Sequence, residues 1–177
     1  MIKIAWGITG CGDLIEETFE SMEHIKENHA VDITVYLSKN GEMVVKMYKL
    51  WNRLKAIDPK PKTEVGPNAP FLTGKLQTGQ FDIFIVSPMS ANTTAKIAHG
   101  IADSLLSNCV AQSVKAKVPT ICYPADQHKG SIETILPNGK KLILYMRDID
   151  VENSNKLKKM EGLTVLENVK DIRDVVK

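Results

Sequence analysis

Apolar positions along this chain fall into two alternating registers, short continuous runs and longer stripes at helical spacing. Ile2 to Ile8 is an isoleucine-rich run closed by Thr9-Gly10-Cys11-Gly12, the pattern of a buried strand meeting a turn. A helix is expected next, with Asp13 as N-cap, Glu16 three positions on, and Leu14, Phe19, Met22 and Ile25 as an apolar stripe to about Glu27. Val31 to Leu37 predicts a second strand. Met43, Val44, Met47, Leu50, Trp51 and Leu54 then predict one helix that closes at Pro59 and Pro61. Glu64 to Gly79 holds Gly66-Pro67, Pro70, Gly74 and Gly79, and reads as a loop-rich crossing with one short helix around Phe71 to Gln77. Phe81 to Val86 is almost unbroken, as in a strand buried on both faces, and Ala91 to Val114 continues with helical periodicity before a short strand at Pro119 to Tyr123.

Strands that alternate with helices in this way need right-handed crossovers, so the expected fold class is α/β: a three-layer, doubly wound parallel sheet of the Rossmann-like or flavodoxin-like kind. Ile135 to Met146 breaks the alternation, because Pro137-Asn138-Gly139 separates two β-favouring stretches; a small β-hairpin excursion near the C-terminus is expected. Leu163 to Leu166 reads as a last edge strand and Val169 to Val176 as a terminal helix, with Asp171 and Lys177 placed to suit its dipole. No internal repeat interrupts the pattern, and 177 residues fit a single domain over 1–177.

Composition narrows the class. With 43% hydrophobic and 25% charged residues the chain is ordinarily globular. Cys11, Cys109 and Cys122 form no CxxC pair; their odd number and wide spacing suit a reducing compartment and suggest no metal site. Ile2 to Ile8 is too short for a signal-peptide core and nothing approaches a membrane span, so a cytoplasmic location is expected. A net charge of +2 argues against nucleic acid as partner. The charge is uneven: Lys39 to Lys62 carries Lys39, Lys46, Lys49, Arg53, Lys55, Lys60 and Lys62 against Glu42 and Asp58. That basic window suits either an acidic partner or a plain solvated helix face.

In an open parallel sheet ligands bind beyond the carboxyl ends of the strands, where free N–H groups of helix N-termini favour anions. Three loops there carry polar or glycine-rich sequence. Gly7-Ile8-Thr9-Gly10-Cys11-Gly12-Asp13 allows close backbone approach to a phosphate, and equally suits a simple turn; it lacks full GxGxxG spacing. Ser38-Lys39-Asn40-Gly41 offers a hydroxyl and an ammonium, or only a helix cap. Ser87 to Thr93 gathers two serines, an asparagine and a threonine around a proline directly after a buried strand, more polar side chains than one cap requires.

Ser87-Pro-Met-Ser-Ala-Asn-Thr, followed by Lys96-Ile-Ala-His-Gly-Ile-Ala-Asp-Ser-Leu-Leu, resembles the signature of the homo-oligomeric flavin-containing cysteine decarboxylase (HFCD) superfamily. The resemblance spans roughly Ile2 to Ala125 and implies FMN as cofactor. It implies that the FMN phosphate meets Thr9, Gly10, Cys11 and Ser38, with Gly12 and Lys39 in the same loops, while Ser87, Met89, Ser90, Asn92 and Thr93 line the ribityl chain and isoalloxazine. Decarboxylating members carry a histidine shortly before the Asn-Thr loop, yet none occurs here between His29 and His99. They also carry a Pro-x-Met-Asn clamp, where this chain reads Pro124-Ala125-Asp126-Gln127-His128. Cysteine decarboxylation is therefore disfavoured.

Ala5-Trp6-Gly7-Ile8-Thr9-Gly10, Gly74-Lys75 before Phe81-Asp82, and Gly100-Ile101-Ala102-Asp103 look most similar to the archaeal branch of archaeoflavoproteins and dihydromethanopterin reductases. That branch implies an FMN-dependent oxidoreductase or electron-transfer flavoprotein fed by ferredoxin, with a protein or pterin acceptor, in a homo-oligomer of trimers or their multiples. The alternatives are a flavin prenyltransferase-like transferase, whose first loop usually reads Gly-Ala-Ser-Gly, and a flavin store. Flavin chemistry requires no side-chain base. Asn92 is placed to tune the ring edge, and Asp126 and His128 to donate a proton near the mouth, against the plainer reading of a solvated loop. His99 is expected mid-helix. Cys11, at an expected helix N-terminus, is either a lowered-pKa redox thiol or a small turn residue. Trp6 and Trp51 either stack on flavin or fill the core.

Overall fold

A computed structural model describes residues 1–176. Its main sheet holds six strands in the order β3-β2-β1-β4-β5-β8, all paired in parallel: β1 Ile2–Ile8, β2 Val31–Leu37, β3 Lys62–Thr63, β4 Ile83–Met89, β5 Thr120–Pro124 and β8 Leu163–Val165. The helices are α1 Ile15–Asn28, α2 Lys39–Met47, α3 Trp51–Ile57, α4 Thr73–Gln77, α5 Ala91–Ala98, α6 Leu105–Lys115 and α7 Asp148–Lys158, with a 3-10 helix at Val169–Asp174. Strands β6 Ser131–Ile135 and β7 Lys141–Tyr145 pair antiparallel as the expected hairpin. The doubly wound α/β class read from the sequence is the observed one. No helix among the described residues is long and apolar enough to cross a membrane.

Period-two alternation along β1 builds two cores, one on each face of the sheet. Ile4, Trp6 and Ile8 face α1, α3 and the 3-10 helix, where they meet Phe19, Leu54 and Ile172. Ala5 faces the opposite layer of α4, α5, α6 and α7, joined there by Tyr36, Phe84, Leu106 and Leu157. Full burial of each large apolar side chain contributes about 1.5–3 kcal/mol relative to exposure.

Several expected elements are corrected. The single helix over Met43 to Leu54 is two, because Lys49 turns into the left-handed region at φ 60. Its neighbours close a Schellman motif: Leu50 N–H donates to Val45 O and Lys49 N–H to Lys46 O, both at 3.0 Å. The helix expected over Ala91 to Val114 also divides, at Gly100 with φ 72, where Ile101 N–H donates to Lys96 O at 2.8 Å. His99 is consequently the C-cap of α5 and not a mid-helix residue. Asp13 does not cap α1; Leu14 holds that place with φ 54 and no side-chain cap. The short strand β3 and the helix α7 had no sequence expectation, and where a terminal α-helix was expected over Val169 to Val176 the chain forms a 3-10 helix at Val169–Asp174.

Candidate functional site

Strand order reverses at β1, with β2 on one side and β4 on the other, so the loops leaving these three strands meet at the carboxyl edge. Two helices begin there with the same local chemistry. Ser38 caps α2 by accepting from Gly41 N–H at 2.9 Å, and its carbonyl takes Glu42 N–H at 3.0 Å. Ser90 caps α5 by accepting from Thr93 N–H at 3.4 Å, and its carbonyl takes Thr94 N–H at 2.9 Å. Of the four N–H groups that each helix start leaves without an intrahelical partner, those of Lys39 and Asn40 at α2, and of Ala91 and Asn92 at α5, are thus left for a ligand.

Glycine lets these parts close on one another. A Cβ on Gly10 would lie 2.5 Å from the Asn40 Cβ, one on Gly12 2.5 Å from the Tyr48 hydroxyl, and one on Gly41 would run into the Ile8 carbonyl oxygen. The first turn of α2 is therefore pressed onto the end of β1. Thr9 joins β1 to the β4 loop: its hydroxyl donates to Pro88 O at 2.9 Å and accepts from Ser90 N–H at 2.8 Å.

The structure brings Gly10, Cys11, Gly12, Ser38, Lys39, Ser90, Asn92 and Thr93 to this edge. Asn92 is exposed on the first turn of α5, and Thr93 Oγ1 accepts from the Ser90 hydroxyl at 3.2 Å. Ser87 and Met89 have fully buried side chains: Ser87 Oγ lies 3.2 Å from Thr18 Oγ1, and Met89 sits in the core beneath the sheet. Trp6 is core, and its indole N–H donates to Ser87 O at 2.8 Å. Trp51 is half-buried with the Lys46 ammonium 4.8 Å from its ring centroid.

Burial pushes the Cys11 thiol up to about 12, and its Sγ–H points at Asp13 O at 3.7 Å, which favours the small turn residue over a lowered-pKa thiol. His128 is exposed; His99 Nε2 lies 3.0 Å from Asn153 Oδ1 and 3.3 Å from Lys156 Nζ.

Beside the edge, a cleft of about 470 Å³ runs between the first turn of α1 and the turn end of the hairpin, walled by Asp13, Glu17, Tyr48 and Thr134. Tyr48 spans it, donating its hydroxyl to Ile135 O at 2.9 Å. Nothing in the sequence marked Tyr48 or Thr134, because their role depends on where the hairpin folds back. Half-buried Asp126 has its pKa raised by burial first and by the charges of Asp150 and Asp13 next. A carboxyl raised in this way supports the fold when protonated, below its unfolded pKa of about 3.9, and that support is lost as pH rises through the folded value. Asp126→Asn is accordingly expected to raise the melting temperature near neutral pH, with the gain closing in acid; thermal melts at the two conditions check it.

The basic window is less open than its sequence suggests. Arg53 is held by Glu23 at 2.9 and 2.8 Å and by Glu16 at 2.6 Å, Lys46 pairs with Glu42, and Lys62 lies 5.1 Å from the Tyr36 ring centroid. Lys39, Lys49, Lys55 and Lys60 are exposed, with no carboxylate partner among the described residues.

The family model described as Flavoprotein matches residues 1–176. An uncharacterized protein of Methanocaldococcus jannaschii is 56% identical over 176 residues, covering 99% of this chain and 95% of that one. A dihydromethanopterin reductase (acceptor) of the same organism is 38% identical over 160 residues, covering 85% of this chain and 65% of the reductase, so this chain spans just under two thirds of the reductase's length. Among solved structures, DmrB of Burkholderia xenovorans in complex with FMN, described as a cubic protein cage for redox transfer, superposes with a TM-score of 0.82 at 25% identity over 98% of this chain and 92% of that one.

Proposed function

The chain belongs to the Flavoprotein family, and on that premise we propose that it binds FMN at the carboxyl edge and works as an FMN-dependent oxidoreductase. The observation that carries the reading is the pair of capped helix starts, α2 and α5, flanking the β1 loop with four N–H groups left for a ligand. The residues fit the group: side-chain-free Gly10 and Gly12 let it reach the backbone, and the α2 start with Ser38 and Lys39 suits a phosphate dianion. Ser90, Asn92 and Thr93 provide hydroxyl and amide contacts for the ribityl chain and ring. Ser87 and Met89, being interior, support that wall from behind. When bound, FMN supplies one- and two-electron transfer, and this chain's residues bind, orient and shield it.

The acceptor we propose is a reduced-pterin precursor of the dihydromethanopterin kind, as the name of the M. jannaschii reductase suggests, with a protein acceptor as the other possibility. The donor we propose is a ferredoxin or similar acidic redox protein, supported by the exposed Lys49, Lys55 and Lys60, which have no carboxylate partner among the described residues. Assembly as trimers or their multiples is supported by the exposed apolar hairpin, where Ile143 is 58% and Tyr145 80% accessible.

The test is to record the visible spectrum of the purified protein, add reduced ferredoxin anaerobically, and then add a dihydropterin. Bleaching that slows as salt is raised, followed by recovery of colour with the pterin, is the expected result. Bound flavin that no ferredoxin reduces would shift the assignment to prenyl transfer or flavin storage. A colourless protein that FMN cannot reconstitute would overturn the reading.

A further inference from the structure

The parallel ladder that joins β1 to β4 ends at the pair Gly7–Val86, although β4 runs on to Met89. Past that point the side chains of Trp6 and Thr9 add to what the main chain supplies. Trp6 donates its indole N–H to Ser87 O at 2.8 Å. Pro88 has no N–H to offer a ladder, and its carbonyl accepts twice from Thr9, from the N–H at 3.2 Å and from the hydroxyl at 2.9 Å. The same hydroxyl oxygen accepts Ser90 N–H at 2.8 Å.

We infer that Thr9 is a positioning residue, a latch that sets where Ser90 and the first turn of α5 stand relative to the β1 loop, and not a direct ligand of the phosphate. A threonine hydroxyl has one proton, and here it is given to Pro88 O, while Thr9 is only 1% exposed. A phosphate oxygen needs a donor and finds none at Thr9 unless the latch opens. Ser90 is the N-cap of α5, bonded onward to Thr93, so any slip at Ser90 carries the free N–H groups of Ala91 and Asn92 with it. The consequence for flavin binding rests on the proposed function; the latch rests on geometry alone.

Thr9→Val keeps the shape and removes the hydroxyl, and Thr9→Ser restores it. Affinities for FMN and for riboflavin, which lacks the phosphate, are read by quenching of flavin fluorescence, and amide hydrogen exchange at Ser90 is followed in the flavin-free protein. Loss of the two hydroxyl bonds is expected to weaken both ligands by the same factor, about ten- to a hundredfold. Ser90 should lose protection in Thr9→Val, and Thr9→Ser should recover both readouts. If FMN alone weakens while riboflavin is unchanged, Thr9 is a phosphate ligand and the inference is wrong. Unchanged protection of Ser90 in Thr9→Val overturns it as well. Should the wild type bind neither flavin, the functional reading fails while exchange at Ser90 still decides the latch. If Thr9→Val does not fold, Thr9→Ala removes the same hydroxyl without placing a methyl against the Pro88 carbonyl and carries the same comparison.

Discussion

Gly41→Ala is expected to strip bound flavin from the chain and to destabilise it by about 1–3 kcal/mol, the range for forcing atoms into a well-packed interior. Ordinarily the change would favour a helix, since alanine exceeds glycine in propensity by about 1 kcal/mol. Here the new Cβ meets the Ile8 carbonyl oxygen, a main-chain atom that cannot swing aside as a side chain would. The first turn of α2 must lift from the end of β1, and with it the Ser38 cap and the free N–H groups of Lys39 and Asn40. Gly66→Ala is the matched control, because a Cβ there meets nothing within 4 Å. Flavin retention through a desalting column and urea unfolding of the two variants make the comparison. Equal behaviour would mean that the close approach of α2 to β1 does not matter for the site.

Trp6→Ala is expected to cost about 3–5 kcal/mol, the range for deleting a buried large aromatic. Against a typical total of 5–15 kcal/mol, that leaves a marginal protein. Trp6 is fully buried between β1 and α1, and its loss removes both the packing of the first core and the indole donor to Ser87 O. Trp6→Phe separates the two: most of the ring stays, and only the hydrogen bond goes, at about 1–3 kcal/mol for a carbonyl left buried without its donor. Chemical denaturation gives the stability of each. A Trp6→Phe loss as large as that of Trp6→Ala would show that packing contributes little at this position.

The strands other than β3 were legible because buried parallel strands are short, apolar and bounded by glycine or proline, as at Ile2 to Ile8 and Phe81 to Val86. The Asn138-Gly139 turn was legible too, with Gly139 at φ 81. Helix ends were read less well, for two different physical reasons. At Gly100 the signal was present, a glycine free to adopt the left-handed cap, and apolar periodicity on both sides masked it. At Lys49 there was no signal, since it is a lysine with positive φ completing a Schellman motif that usually takes glycine. What drives Lys49 there is tertiary: Leu50, next in the chain, is only 3% exposed and belongs to the core. The candidate site divides along the same line. Its loops were visible as clusters of Gly, Ser and Thr, whereas the inward turn of Ser87 and Met89, the mutual bonds of Thr9, Pro88 and Ser90, and the reach of Tyr48 to Ile135 depend on partners far away in sequence. Of the two readings of Cys11, burial favours the small turn residue over the lowered-pKa thiol.

The main sheet is flanked by strands of two and three residues, β3 and β8. A strand from another molecule that seeks main-chain partners at either flank meets less than the usual five to six residues of ladder, too little to nucleate pairing. The hairpin is different, with two five-residue strands, neither of which has a further strand on its outer rim among the described residues, and exposed Ile135, Ile143 and Tyr145 along them. Strand-templated aggregation, if the protein is stressed, therefore has its seed in the hairpin, while the sheet that carries the ligand edge is closed to it by the brevity of its own borders.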